Sequence, residues 1–302
     1  MYFVTKTPNF TIVLPGGCNG YCAFCFTKGR MDESMLLQFP EYRDRLSDVL
    51  NKLPAEIGTI SLSGGEPLLS PCFDLALETI RTANRRFQVV LTTNGTSLLT
   101  HVRAGRLDGV DHVNISRHAA EDKANRTIFG TRKVPSGREL RTCVRELEKR
   151  GIDTTLNCVI KPSSTKDATL AMIRFATWSG AIALCFRFEY ENSIAPDLTK
   201  IEKMFQMNPT ILEASCPVCR SRVQTIGGFR VVWKHGVREP TSLLSKNDLY
   251  ELVFQPDGIL TADWAGRIPV TLPVKKLTQS KPQIITAGNN YEFDCHPNSI
   301  PC

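Results

Sequence analysis

No stretch of this 302-residue chain approaches the roughly 18–20 consecutive apolar residues that would span a bilayer. The opening segment, MYFVTKTPNF, lacks the basic, apolar and small-residue regions of a secretory signal. Repeats of solenoid period and low-complexity tracts are also missing. The expectation is therefore a cytoplasmic protein without a membrane partner. Charge of one sign is scarce as well: 37 Lys and Arg stand against 30 Asp and Glu, a formal net charge of +7. That excess is spread out, with RTANRR and VKKLTQSK the densest stretches, and most of it reads as solvated surface. It suits a phosphorylated substrate, a nucleotide or an acidic partner. No basic stretch interleaved with aromatics supports nucleic-acid binding. Hydrophobic content of 42% and charged content of 22% exclude global disorder.

Cysteine is what the chain has in quantity. Eleven cysteines are an odd number, so they cannot all pair within one chain. Without a secretory signal, metal or redox chemistry in a reducing compartment is the better reading than a disulfide scaffold.

Up to about residue 190, β-rich runs alternate with helix-period segments. The runs FTIVL, IGTISL, FQVVLTT, DHVNIS, TTLNCVI and ALCFRFE are short, rich in Val, Ile, Thr or Phe, and followed by turn residues. Between them, Tyr42, Leu46, Val49, Leu50 and Leu53 recur at helical spacing. Ser70-Pro71 reads as the start of a second helix, and Ser136 with Glu139 as a capping box on a helix closed by Gly151. Six such units predict parallel strands and crossover helices in an α/β fold, a partial (β/α)6 barrel over residues 1–195. Ligands then belong at the C-terminal strand ends. Residues 196–302 read as a smaller β-rich extension, with hairpins in VQTIGGFRVVW and in ELVFQPDGILTADW, the latter turning at Asp257-Gly258.

The first strand runs into PGGCNGYCAFC, which sets Cys18, Cys22 and Cys25 in a C-x3-C-x2-C loop. Three thiolates on one loop can hold three irons of a [4Fe–4S] cluster and leave the fourth iron open. A structural zinc site would normally be closed by four ligands, and no fourth cysteine is near. CNGYCAFC, with the aromatic Phe24 before the last cysteine, resembles the signature of radical S-adenosylmethionine (SAM) enzymes. The second run ends in Ser63-Gly64-Gly65-Glu66-Pro67, similar to that family's GGEP motif. The resemblance implies that Gly64, Gly65, Glu66 and Pro67 bind the amino group of SAM. It further implies SAM contacts at Thr93 and Asn94, at Ser116 and at Asn157. The implied chemistry is reductive cleavage of SAM to a 5′-deoxyadenosyl radical. That radical abstracts hydrogen from a nucleotide, nucleoside or other small polar substrate. The electron would come from a flavodoxin- or ferredoxin-type donor, and the enzyme would be oxygen-sensitive.

Within the family, the strand order resembles the GTP cyclase of molybdenum-cofactor biosynthesis and its relatives, with departures. Leu68-Leu69-Ser70-Pro71 follows GGEP where that enzyme has a basic residue. Ser116-Arg117-His118 replaces Ser-Leu-Asp, and Thr155 stands where a lysine is expected. The chain is therefore not read as that cyclase. Arg117, His118, Arg187, Glu189 and Glu191 lie at or beyond strand ends and are candidates for substrate or SAM contact; His118 also reads as a surface residue, and Arg187 with Glu189 as a structural ion pair. Cys216 and Cys219, in C-x2-C, with Cys295 and Cys302, are candidates for a second metal site holding an auxiliary cluster or zinc. Cys72, Cys143, Cys158 and Cys185 read as core residues. Two further classes of function stay open. One is modification of a peptide or protein; the other is a non-catalytic metal-binding module, which has no use for the GGEP and TTNG turns.

Overall fold

The computed structural model describes residues 3–25, 39–161, 164–188, 211–215, 222–234, 248–264, 266, 268–272 and 275–276. The six expected strands are β1 (Phe3–Leu14), β2 (Thr59–Gly64), β3 (Gln88–Thr93), β4 (His112–Ser116), β5 (Asp153–Ile160) and β6 (Ala183–Phe188). They lie side by side in sequence order, every pair parallel. The crossovers carry α1 (Phe39–Lys52), α2 (Phe73–Arg81), α3 (Leu98–Arg103), α4 (Asp122–Phe129), α5 (Gly137–Glu148) and α6 (Lys166–Ser179). Parallel strands cannot be joined by a tight turn, so each must return through such a crossover.

Alternation along the strands separates two faces. Ile12, Leu62, Leu91, Ile115, Leu156 and Phe186 join one apolar cluster with helix residues such as Tyr42, Leu46, Phe73 and Leu147. Burying a leucine side chain of this kind stabilises the fold by about 2–3 kcal/mol. The opposite face carries smaller and more polar groups in direct register: Ser63, Thr92 with Asn114 and Thr155, then Ser116 with Asn157 and Cys185. The expected partial barrel is therefore present, apolar outside and polar within.

Among the described residues the C-terminal part adds β7 (Ile211–Ser215), β8 (Arg222–Ile226), β9 (Phe229–Lys234), β10 (Asp248–Phe254), β11 (Leu260–Thr261) and β12 (Lys275–Lys276). The two expected hairpins form as β8–β9 and β10–β11. Their strands join the same sheet: β9 pairs parallel with β6, and β10 parallel with β1. Although β9 and β10 lie at opposite flanks of the order β10-β1-β2-β3-β4-β5-β6-β9, Glu251 on β10 feels the charges of Lys234 on β9 and Arg187 on β6. The sheet curls until its flanks approach. β1 begins well before the apolar run FTIVL, because its first residues pair with β10 and β12 through backbone, which leaves no hydrophobic period.

Two helix starts show how local signals fared. Ser136 and Glu139 form the expected capping box, in which each side chain meets the other's backbone N–H. The second helix does not start at Ser70-Pro71 but at Phe73. Ser70 is used otherwise: its hydroxyl donates to Pro15 O at 2.5 Å and accepts from Cys72 N–H at 3.1 Å. The serine thus ties the segment after β2 to the entrance of the cysteine loop. Among the described residues no helix is long and apolar enough to cross a membrane.

Candidate active site

The cysteine loop leaves the end of β1 and is held on two sides. On one side it meets the turn after β2. A Cβ on Gly65 would lie 2.7 Å from Gly17 O, and one on Gly64 would lie 2.8 Å from Leu14 O, so only glycine admits this approach. Glu66 N–H donates to Gly17 O at 3.2 Å. On the other side, Tyr21 N–H donates to Phe129 O at the end of α4, at 2.7 Å. Gly130, at φ +64°, closes that helix in the left-handed region and leaves room for Tyr21.

Within the loop, Gly20 lies between two sulfurs and α4: a Cβ there would make ordinary contact with Phe129 Cδ1 (3.5 Å), Cys18 Sγ (3.6 Å) and Cys22 Sγ (3.8 Å). Gly20 N–H lies 3.3 Å from Cys18 Sγ, and Asn94 Nδ2 approaches the same sulfur at 3.8 Å. Cys18 is exposed, and Cys22 and Cys25 are half-buried. Burial raises the Cys22 thiol to about 11, with the neighbouring thiols adding to it, and raises Cys18 despite the Gly20 contact. Iron binding must therefore displace protons from these two sulfurs. Among the described residues no three His, Cys, Asp or Glu side chains converge on one ion position. A [4Fe–4S] cluster does not require convergence, because each thiolate takes its own iron. The sulfur-only donor set on one loop fits such a cluster.

Glu66 is buried, and its carboxylate joins two strand ends. Oε1 accepts from Leu68 N–H at 3.2 Å and from the Thr93 hydroxyl at 2.5 Å; Oε2 accepts from Asn94 N–H at 2.6 Å. Burial raises this carboxyl to about 7 in spite of its three donors. One acceptor position remains on Oε2. Asn94 then passes the constraint on: its Nδ2 donates to Asn19 Oδ1 at 2.8 Å, and Asn19 Nδ2 donates to Thr96 Oγ1 at 2.9 Å. Asn19 and Thr96 escaped the sequence reading. The signal was the position of Asn19 beside Cys18, inside the motif itself.

Ser116 and Asn157 are direct neighbours in register on the inner face. Asn157 is 5% exposed, and its Oδ1 has no hydrogen-bond partner. Thr155 is fully buried and its hydroxyl is likewise unpartnered. Buried polar atoms without partners are costly, and two of them here lie on the polar inner face of the sheet.

The structure places the candidates His118 and Arg117 in different surroundings. Arg117 is 1% exposed, and its guanidinium lies among residues of the helical layer. Its guanidinium donates to Ala119 O (2.7 Å), Ala120 O (2.8 Å), Pro135 O (3.1 Å) and Asp122 Oδ1 (2.6 Å), and it lies over the Phe175 ring. His118 is no surface histidine. Its ring stacks on Phe129 with centroids 4.8 Å apart and meets the Phe24 ring edge-on at 4.9 Å. Its Nδ1 accepts from Val159 N–H at 3.1 Å. Burial, reinforced by Arg117, lowers this imidazole to about 3, so it is neutral near pH 7. Arg187 lies on the inner face beside Lys234, and its Nε is buried without a partner. Pro67 opens a short 3-10 turn, Pro67–Leu69. Cys72, Cys143, Cys158 and Cys185 are buried, as core residues should be. Glu189, Glu191, Cys216, Cys219, Cys295 and Cys302 lie outside the described residues.

A parallel β/α barrel with a cysteine loop at the end of its first strand defines the class of protein, and comparison with known proteins defines the family. Residues 12–176 match the family model of the Radical SAM superfamily, and the chain belongs to that superfamily of enzymes. It is 29% identical over 188 residues to a probable GTP 3′,8-cyclase of Pyrococcus horikoshii, a match covering 62% of this chain and 58% of that one. It is 28% identical over 168 residues to the GTP 3′,8-cyclase of Aquifex aeolicus, covering 54% and 51%. The chain thus spans little more than half the length of these curated relatives. Among solved structures it is similar to Streptococcus suis SuiB bound to the precursor peptide SuiA. The TM-score is 0.61 and the identity 13%, with 86% of this chain and 60% of that chain covered. SuiB bound to S-adenosylmethionine gives a TM-score of 0.60 at 12% identity, covering 86% and 61%. At these identities the likeness is one of fold.

Proposed function

We propose that this chain is a radical SAM enzyme in which Cys18, Cys22 and Cys25 hold a [4Fe–4S] cluster and the surrounding strand ends receive SAM. The observation that carries this reading is the three-thiol loop at the end of β1, tied to the GGEP and TTN turns through Glu66 and Asn94. When bound, cluster and SAM supply one-electron cleavage of a carbon–sulfur bond and abstraction of hydrogen from the substrate. The chain's own residues supply position and exclusion of water. Glu66 offers its remaining acceptor site to an ammonium, and a cation placed there would draw its carboxyl back to the ionised form. Gly64, Gly65 and Pro67 contribute the backbone of that turn, and the two glycines let it pack directly against Leu14 and Gly17 of the cysteine loop. Asn157 and Thr155 offer unpartnered acceptors to hydroxyl or amino donors of the bound molecule, with Ser116 beside Asn157 in register, while Thr93 acts through Glu66. Phe24 covers the loop from the side of His118.

The substrate on this reading is a nucleotide, nucleoside or other small polar molecule. The cyclase relatives and the polar inner face support it, and Arg187 supplies a cation there. A second reading, modification of a peptide, is supported by the fold shared with SuiB, whose solved structure holds a precursor peptide. Residues 1–195 would form the catalytic part, and residues 196–302 an extension carrying a second metal site at Cys216, Cys219, Cys295 and Cys302. The electron would come from a flavodoxin- or ferredoxin-type donor in a reducing cytoplasm. Two measurements test these assignments. Iron counting on the Cys18→Ala/Cys22→Ala/Cys25→Ala variant should show loss of about four irons per chain; about four remaining would establish the auxiliary cluster. Supplying nucleosides and nucleotides, against short peptides, in an anaerobic SAM-cleavage assay should accelerate turnover with the first group only. Acceleration by peptides alone would replace the first reading with the second.

A further inference from the structure

His118 stands where three elements meet. The imidazole is stacked on Phe129 at the end of α4 and meets Phe24 of the cysteine loop edge-on. Its Nδ1 is held by Val159 N–H of β5, two residues beyond Asn157. The backbone N–H of His118 donates to Asn125 Oδ1 at 2.9 Å, and Asn125 is 1% exposed. Arg117 fixes the turn that carries it through three carbonyls and Asp122. The ring therefore cannot choose another rotamer without orphaning Val159 N–H, and its tautomer is set, with the proton on Nε2. Phe24 has no comparable anchor of its own: it lies between Cys22 and Cys25 in a loop, and its described ring contacts are His118 and the Lys161 ammonium, 5.7 Å from the centroid. Edge-to-face packing is directional, and such a pair contributes about 0.5–1.5 kcal/mol beyond area burial.

We infer that His118 is a positioning residue, which through the Phe24 ring fixes the Cys22–Cys25 half of the loop over the end of β5, where Asn157 awaits the ligand. The inference rests on the assignment of the cysteines above, and it gives His118 a role in setting the geometry between cluster and SAM. The ring's packing against Phe24 and Phe129 does this, with the Val159 hydrogen bond setting its orientation, so a benzene ring, which keeps the shape and lacks the acceptor, substitutes in part, and a methyl group does not.

The test uses the full chain, reconstituted anaerobically with iron and sulfide. The readouts are iron content, SAM affinity, and the change that SAM causes in the electron paramagnetic resonance of the reduced protein. His118→Ala is expected to keep its iron, to bind SAM about tenfold more weakly, and to lose most of the spectral change. His118→Phe, which restores the ring without the Val159 acceptor, should recover a clear part of both. Phe24→Ala, which removes the same contact from the loop side without opening the core, should match His118→Ala, and the double variant should be no worse than either single one. Leu147→Ala on α5 provides a destabilised core remote from the loop and should leave the spectral change intact. A wild-type response in His118→Ala or in Phe24→Ala overturns the inference. So does a folded, iron-loaded His118→Phe that is as impaired as His118→Ala, because ring packing would then not be the cause. Failure of the wild-type chain to bind iron would instead defeat the cluster assignment, leaving no cluster to position.

Discussion

The Glu66 carboxylate accepts the Thr93 hydroxyl at 2.5 Å, and through that bond the turn after β2 and the turn after β3 become one rigid rim around the cysteine loop. The cost of the arrangement is a buried carboxyl raised to about 7. Across the mouth, His118 is lowered to about 3. Two groups shifted in opposite directions make the pH dependence of stability testable.

In metal-free protein the two effects oppose each other. Glu66 takes up its proton in the folded state well above the ordinary carboxylate value of 4.5, so its contribution to stability is present below that value and is lost as pH rises toward 7. His118 is neutral in the folded state down to about 3, so its contribution is present above pH 6.5 and is lost as pH falls. Each gives a slope of about 1.4 kcal/mol per pH unit, of opposite sign, between pH 4.5 and 6.5. The groups facing them are the Cys18 thiol, neutral in this range, for Glu66 and the Arg117 guanidinium for His118. Urea unfolding of Glu66→Gln should therefore show stability falling on acidification more steeply than wild type, and His118→Phe should show it rising. Parallel curves for all three proteins would contradict both assignments.

Asn157 separates function from stability. Its Oδ1 is buried and unpartnered, so removing it relieves a cost of about 1–3 kcal/mol and offsets the loss of packing. Asn157→Ala should unfold within about 1 kcal/mol of wild type while its affinity for SAM falls about tenfold or more by equilibrium dialysis. A variant that binds SAM normally would remove Asn157 from the site.

Arg117 makes the opposite case. Its planar fork serves three carbonyls and Asp122, a geometry that an ammonium cannot copy. Arg117→Met should lose about 3 kcal/mol in urea denaturation, and Arg117→Lys should recover less than half of that loss. Full stability in Arg117→Lys would mean that charge alone, and not the fork, holds the turn.

Much of this was legible in the sequence because the physics is local. Alternating apolar runs gave six parallel strands, and the C-x3-C-x2-C spacing marked the loop that the fold places at a strand end. The capping box at Ser136 needs only three residues of chain, and it formed as read. What the sequence hid depends on distant partners. Ser70 looked like a helix cap but is drawn to Pro15 O, 55 positions earlier. Arg117 and His118 read alike as candidates at a strand end; tertiary packing sets one among the helical layer and the other against Phe24. The parallel pairing of β9 and β10 with the six-strand core leaves no local pattern, since a hairpin reads the same whether or not its edge joins a larger sheet.

The central claim is that three sulfurs on one loop support SAM cleavage. It is tested most directly by measuring 5′-deoxyadenosine released from SAM by the anaerobically reconstituted chain with dithionite, beside the Cys22→Ala variant. The account predicts release by the wild-type chain and none by the variant. Equal release from both, or none from an iron-loaded wild-type chain, would contradict it.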